Sequence, residues 1–400
     1  MHTIKRSICF PAPRHNVVAF ESSYYVAKSG FAKMRLRYLE TGDDLYDHGE
    51  RAYSTDNGQT WSPHSIYTMR QERAGGTLRR LEMNGYVDPV NGNLLHIGME
   101  AIMPNDSPAD GMTQWYMTYR TSLDHGQTTR ICEQIIQKGN YTAAHPLEPA
   151  WVGKNAVMYG AEGSILHTRQ GQLLIATMLT PLGPDGKYAN LGGQYTWTEI
   201  LFLIGRWQDD GRIEWQSGPR IAIDPSLSTR GLAEPTLAQM DDGRILMVMR
   251  GSNSGHHDLP GYKWYSVSSD GGATWTAPAP WGYADGRSFF SPASFSQLLR
   301  HSTGRHFWFG NISPSNVAGN SPRHPLVFGE VDPVTLRLKA ESVTIIDTLQ
   351  PDDHPSTQFS NFTAHEDRAN SDILVHMPRL RVEDDGAICG NGELFRISLE

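Results

Sequence analysis

The sequence lacks what several protein classes require. Positive charge is not in excess: 35 Lys and Arg stand against 43 Asp and Glu, a net charge of −8. That argues against a binder of nucleic acid, or of any polyanion, working through a basic surface. No apolar run approaches the roughly 18 residues a membrane-spanning helix needs, and hydrophobic residues make up 38% of the chain, so no membrane partner is expected. Cysteine is scarce: Cys9, Cys132 and Cys389 are too few and too scattered for a disulfide framework or a short metal-ligand spacing. There is no phosphate-binding glycine loop and no Cys/His zinc pattern, so neither a cofactor nor a metal is expected. The opening Met1-His2-Thr3-Ile4-Lys5-Arg6 has no signal-peptide core, which leaves two expectations, an intracellular chain or one whose leader was removed. Helical periodicity is missing over any long window.

Turn formers and aromatics are plentiful. The 400 residues include 39 Gly, 24 Pro, 10 Trp, 16 Tyr and 13 Phe, which excludes disorder and supplies a large core cut by many tight turns. A short pattern recurs. Ser54-Thr55-Asp56-Asn57-Gly58-Gln59-Thr60-Trp61 returns as Ser268-Ser269-Asp270-Gly271-Gly272-Ala273-Thr274-Trp275, with a worn copy at Ser122 to Thr129 that lacks the Trp. A second repeat runs in the same register: strand, glycine turn, apolar strand, with turns at Gly30, Gly92, Gly171, Gly243 and Gly304 and a glycine-free equivalent at Asn370-Ser371. Each second arm, such as Leu173-Leu174-Ile175-Ala176 or His306-Phe307-Trp308-Phe309, is short and apolar, as a strand buried on both faces reads. Six such units of about four strands predict an all-β protein, a six-bladed β-propeller of four-stranded antiparallel blades. No linker interrupts it, so residues 1–400 form one expected domain. The segment Ile4 to Phe10 is expected to complete the last blade beside Gly392 to Leu399, closing the ring.

The Ser-x-Asp-x-Gly-x-Thr-Trp pattern resembles the Asp-box of the sialidase (neuraminidase) superfamily, whose catalytic members are six-bladed propellers. Asp56, Asp124 and Asp270 have a structural reading: each accepts hydrogen bonds within its own turn. Chemistry is expected where the inner hairpins open on one face. Counting nine residues back from the turn glycines gives Glu21, Glu162 and Glu234 and lands beside Glu82. The positions after the second arms hold Asp43, Asp44, Glu100, Arg250 and Arg379, and Arg323 lies on the loop following the blade 5 hairpin. Paired carboxylates suit glycoside cleavage, and clustered arginines suit a planar carboxylate.

The resemblance implies roles for some of these. Glu234-Pro235 leading to Arg250 is similar to the family stretch with the glutamate that activates the nucleophile and the second substrate-binding arginine. Arg323 matches the third arginine, Arg379 joins the same substrate-binding set, and Gly42-Asp43-Asp44 resembles the loop with the acid/base aspartate. Two features depart from the pattern. The first arginine has only Arg35, Arg37, Arg79 or Arg80 as substitutes, and Gln358-Phe359-Ser360-Asn361-Phe362 stands where the nucleophilic tyrosine belongs. Gln358 is therefore expected to hydrogen-bond an attacking water. The expected function is an exo-acting glycoside hydrolase that releases a terminal acidic sugar from an oligosaccharide or glycoconjugate. Two alternatives stay open: a polysaccharide lyase acting on a uronic acid with a His or Tyr base and an arginine neutralising the carboxylate, which the histidines His256, His257, His324 and His354 favour, and a catalytically silent carbohydrate-binding propeller.

Overall fold

The computed structural model describes residues 2–42, 44–160 and 162–400. Its secondary structure is almost entirely antiparallel strands, with one four-residue α-helix, Gly111–Gln114. The strands form six successive sheets whose inner strands contact their neighbours around a ring. Blade 1 runs Val18–Tyr25, Lys33–Gly42, Leu45–Ser54 and Ser65–Thr68, and blade 4 runs Ala233–Gln239, Ile245–Arg250, Lys263–Ser268 and Ala279–Pro280. Thr3–Phe10 pairs in antiparallel register with Gly392–Ser398, so the two ends of the chain share blade 6 and close the ring. The inner hairpins turn where the repeat places them. Gly30, Gly92, Gly171, Gly243 and Gly304 all have positive φ, and in blade 6 Ser371, at φ 60°, takes the same conformation without a glycine.

Apolar clusters fill the seams between successive blades. Leu173, Ile175, Leu201 and Leu203 of blade 3 pack with Leu95, Ile97 and Tyr119 of blade 2. Similar clusters join blades 3 and 4, 4 and 5, and 5 and 6, with a smaller one between blades 1 and 2. The seam between blades 6 and 1 is different. Among the described residues it is linked by polar contacts: Lys33 Nζ to His365 Nε2 (2.9 Å), Asn57 to Asp367 (2.7 Å) and Ser23 Oγ to His376 Nε2 (3.2 Å).

The inner strands depart from regular pairing at one end of the ring. In blades 2 and 6 they are broken in two, at residues 83–85 and 360–362, in blade 3 the two pieces are Val157–Met158 and Ile165–His167, and in blade 4 the register shifts between Ala233 and Thr236. Breaks and bulges of this kind re-aim side chains that a regular strand would send alternately to either face. All four interruptions line the same cavity.

Candidate active site

The cavity has a volume of about 780 Å³, within the range of small-molecule sites rather than polymer clefts. Its lining includes Asp44, Glu162, Arg230, Glu234, Arg250 and Arg323, with Gln358 beside them.

Glu234 sits on the blade 4 bulge with φ at 46°, a left-handed conformation that a non-glycine residue adopts at a cost of about 1–3 kcal/mol. Its Oε1 accepts from Arg250 Nη1 at 2.7 Å, while Oε2 is buried and has no hydrogen-bond partner among the described residues. A carboxyl group with one oxygen held by a guanidinium and the other unspent can accept a hydrogen bond from a hydroxyl group or a water. Glu162 stands on the adjacent broken strand of blade 3. Gly163 O accepts from Leu237 N (2.8 Å), which fastens the two glutamate-bearing segments together. Glycine is required at 163: φ is 77°, and a Cβ would lie 2.8 Å from Thr236 Oγ1. At Gly160 a Cβ would lie 2.3 Å from Met178 Cε and 3.4 Å from Glu234 Cγ, so the missing side chain lets the blade 4 glutamate pack against blade 3. Burial raises the Glu162 carboxyl to about 7, only partly offset by the hydrogen bond that Oε1 accepts from Asn84 N (3.0 Å). Two carboxyl groups on touching segments thus sit in different surroundings, one buried with a single amide donor and the other against a guanidinium.

Three guanidinium groups gather around Asn320. Arg250 Nη2 and Arg230 Nη1 donate to its Oδ1 at 3.0 and 3.4 Å, and Arg323 Nε donates to its carbonyl at 3.0 Å. Among the described residues only Arg250 has a carboxylate within 4.0 Å; Arg230 is held by Thr196 Oγ1, and Arg323 by the Ala293 carbonyl and by Gln358 Oε1 (3.5 Å). Burial, then the charge of Arg250, lowers both Arg230 and Arg323 to about 10. Behind them Lys263 is wholly buried, donates to the Ser294 carbonyl, and is lowered to about 7 by burial. Around Asn320, three guanidinium groups thus meet one carboxylate, Glu234, within salt-bridge distance among the described residues.

Several expected residues meet here and others do not. Asp44, at the tip of the blade 1 hairpin, lines the cavity and acts electrostatically on Arg323; Asp43 lies outside the described residues. Arg379 does not join Arg250 and Arg323. Side chains alternate along Ile373–Val382, so Leu380 and Val382 line the cavity while Arg379 turns to a separate pocket and pairs with Asp347 and Asp353, both at 2.5 Å. Of the substitutes for the first arginine, Arg79 and Arg80 reach the lining, engaged with Asp106 and Glu100, while Arg37 pairs with Glu21. Arg230 was missed. It lies on the loop entering blade 4, thirteen residues before the turn glycine, where counting from hairpins says nothing. Its one sequence signal is the Arg-Gly step, with Gly231 at φ 71° under the Thr198 carbonyl. None of His256, His257, His324 and His354 lines the cavity; His376 does, and burial lowers it to about 3. Tyr159 lines it as well, its phenol raised well above the usual value by burial.

A family model described as "BNR repeat-like domain" matches residues 106–335, and one described as "BNR/Asp-box repeat" matches residues 52–63. No curated protein matches the chain. Among solved structures, the NanB sialidase from Streptococcus pneumoniae is 14% identical, with 98% of this chain and 70% of that chain covered and a TM-score of 0.63. Trypanosoma rangeli sialidase is 13% identical over 98% of this chain and 59% of that one, with a TM-score of 0.58. An alpha-L-arabinofuranosidase from Fusarium graminearum is 12% identical over 98% and 97%, with a TM-score of 0.56. At these identities the likeness is one of fold.

Proposed function

Since the chain belongs to the BNR repeat-like domain family and has the six-bladed propeller of the sialidase superfamily, we propose that it is an exo-acting glycoside hydrolase releasing a terminal carboxylated sugar. The observation that carries this reading is the group of three arginines around Asn320 with one carboxylate, Glu234, in salt-bridge contact. A ligand carboxylate placed between Arg230 and Arg323 would supply the missing charge and accept their forked donors.

Glu162, about half protonated at pH 7, protonates the leaving-group oxygen. Glu234, held through Oε1 by Arg250, removes a proton from the attacking water through Oε2, and Gln358 holds that water. Asp44, across the cavity near Arg323, is the second acid that the site offers. A single displacement by water inverts the anomeric centre. The lyase reading loses support, because the four histidines it needs stand away from the cavity and the phenol of Tyr159 is held protonated.

The test compares aryl glycosides of carboxylated and neutral sugars, with release of the aryl group as readout. Turnover is expected for carboxylated substrates, with kcat/KM reduced at least ten-fold in Arg323→Lys and Arg230→Lys, since lysine cannot reproduce the fork. Equal turnover of neutral and carboxylated substrates would remove the acidic-sugar assignment, and a retained first-formed anomer by proton NMR would remove the water mechanism.

A further inference from the structure

The polar seam between blades 6 and 1 contains a second cluster of chemical groups. Cys9, Glu21 and His376 come from three strands, Thr3–Phe10, Val18–Tyr25 and Ile373–Val382, and their donor atoms all lie within 4.8 Å of one another. We propose that Cys9 Sγ, Glu21 Oε1 and His376 Nδ1 bind a zinc ion that staples the closure of the ring.

The donor set is the first argument. Thiolate, imidazole and carboxylate are the three ligand types zinc takes in proteins, and two anionic ligands neutralise its charge. Bonds of about 2.0–2.3 Å in a tetrahedron put ligand atoms roughly 3.3–3.8 Å apart. His376 Nδ1 and Glu21 Oε1 are 3.9 Å apart, so small side-chain rotations close the site.

The second argument is an unsatisfied atom. His376 is 4% exposed, and its Nδ1, which faces Glu21 Oε1, has no hydrogen-bond partner among the described residues. Leaving a buried ring nitrogen unpaired costs about 1–3 kcal/mol, and a metal ion is one partner that would remove that cost. Burial, with Lys33 and Arg35 nearby, holds the imidazole neutral, the form in which it ligates.

The third argument is the outer shell, which already orients each ligand by its far side. His376 Nε2 is held by Ser23 Oγ at 3.2 Å, Glu21 Oε2 by Arg37 Nε at 2.5 Å, and the Cys9 carbonyl by Arg37 Nη2 at 3.0 Å. Protein zinc sites fix their ligands in this way. Arg35, Arg37 and Lys33 are the opposing charges of the seam; Lys33 is turned away, donating to His365, and Arg35 lies over Trp61 and donates to His64. A thiol ligates as the thiolate, so binding one Zn²⁺ displaces one proton from sulfur. Glu21 and His376 also line the large cavity, which gives the ion a route in from solvent. Sequence spacing could not show the site, since positions 9, 21 and 376 meet only when the ring closes.

The experiment uses the full chain stripped of metals by chelation, then titrated with Co²⁺ as a coloured stand-in for Zn²⁺. Expected are one ion bound per chain, a thiolate-to-cobalt charge-transfer band in the near ultraviolet, its loss on adding Zn²⁺, and about one proton released per ion. Cys9→Ser should abolish the band and Ser23→Ala should weaken binding about ten-fold. Cys132→Ser and Cys389→Ser should leave both unchanged. Zinc should raise the melting temperature of the wild type and not that of Cys9→Ser. Absence of saturable binding, or a band that survives Cys9→Ser, overturns the proposal.

Discussion

Glu162 and Glu234 show one residue type in two different surroundings within one cavity. Both were found by counting back from a turn glycine, because hairpin geometry fixes which position reaches the open face. Their surroundings were not legible: they come from the depth of the blade 3 break and from the Arg250 contact across the blade 4 hairpin, which no local pattern encodes. The raised Glu162 carboxyl predicts the alkaline side of the pH profile. If it is the proton donor, kcat/KM for substrates with poor leaving groups falls as pH rises through about 7. Glu162→Gln should remove that limb and most of the rate, while a substrate with a leaving group that needs no proton should keep its rate. Asp44→Asn with the same pattern would transfer the role to Asp44. Stability should follow the same group. The folded chain keeps a proton that the unfolded chain releases above the ordinary value of 4.5, so this residue's contribution is complete below that pH and is lost as pH rises through 7. Urea titrations of wild type and Glu162→Gln across that window should differ in slope with this sign.

At the scale of the element, the Asp-box works as its sequence suggests, as a knot in a turn. Asp270 accepts from Thr274 N (2.9 Å), Thr274 Oγ1 (2.6 Å) and Ser268 Oγ (2.8 Å), and these bonds hold its carboxyl at about 2; Asp56 and Asp124 repeat the arrangement. The tryptophans are less buried than the motif suggests, both being half-exposed. Trp275 stacks on Phe202 of blade 3 (4.6 Å between ring centroids), whereas Trp61 lies under the Arg35 guanidinium (4.5 Å). Trp275→Ala should therefore destabilise by about 2 kcal/mol, less than the 3–5 typical of a fully buried tryptophan, and Trp61→Ala by less again. Urea denaturation measures both, and activity per folded molecule should stay unchanged. Loss of activity in a folded Trp275→Ala chain would mean that the knots, on the face bearing the hairpin turns, communicate with the cavity. The same scale explains Arg379. Being near the end of a second arm does not say which face a side chain takes, and one step along the strand separates it from Leu380 in the cavity.

For the whole molecule, the number of blades and the closing strand were both legible, since repeats in register and an unpaired first strand are long-range signals. The character of each seam was not, because it depends on which side chains meet between blades. Five seams are sealed by apolar clusters, and the sixth, between blades 6 and 1, is linked by hydrogen bonds. Burial of apolar area is the larger and less directional stabilising contribution, whereas polar links can exchange for water one at a time. The closure of blade 6 is also noncovalent, a single antiparallel ladder between Thr3–Phe10 and Gly392–Ser398. Opening should therefore begin there. In native-state hydrogen exchange at rising urea, amides of Thr3–Phe10, Gly392–Ser398 and Val18–Tyr25 should lose protection together and before those of Leu173–Leu179, which lies between two apolar seams. Earlier exchange in blade 3 would show that the polar seam is as strong as the apolar ones. Zn²⁺ should raise the urea concentration at which the blade 6 and blade 1 amides open without moving that of blade 3, because an ion held by Cys9, Glu21 and His376 binds only while that seam is shut.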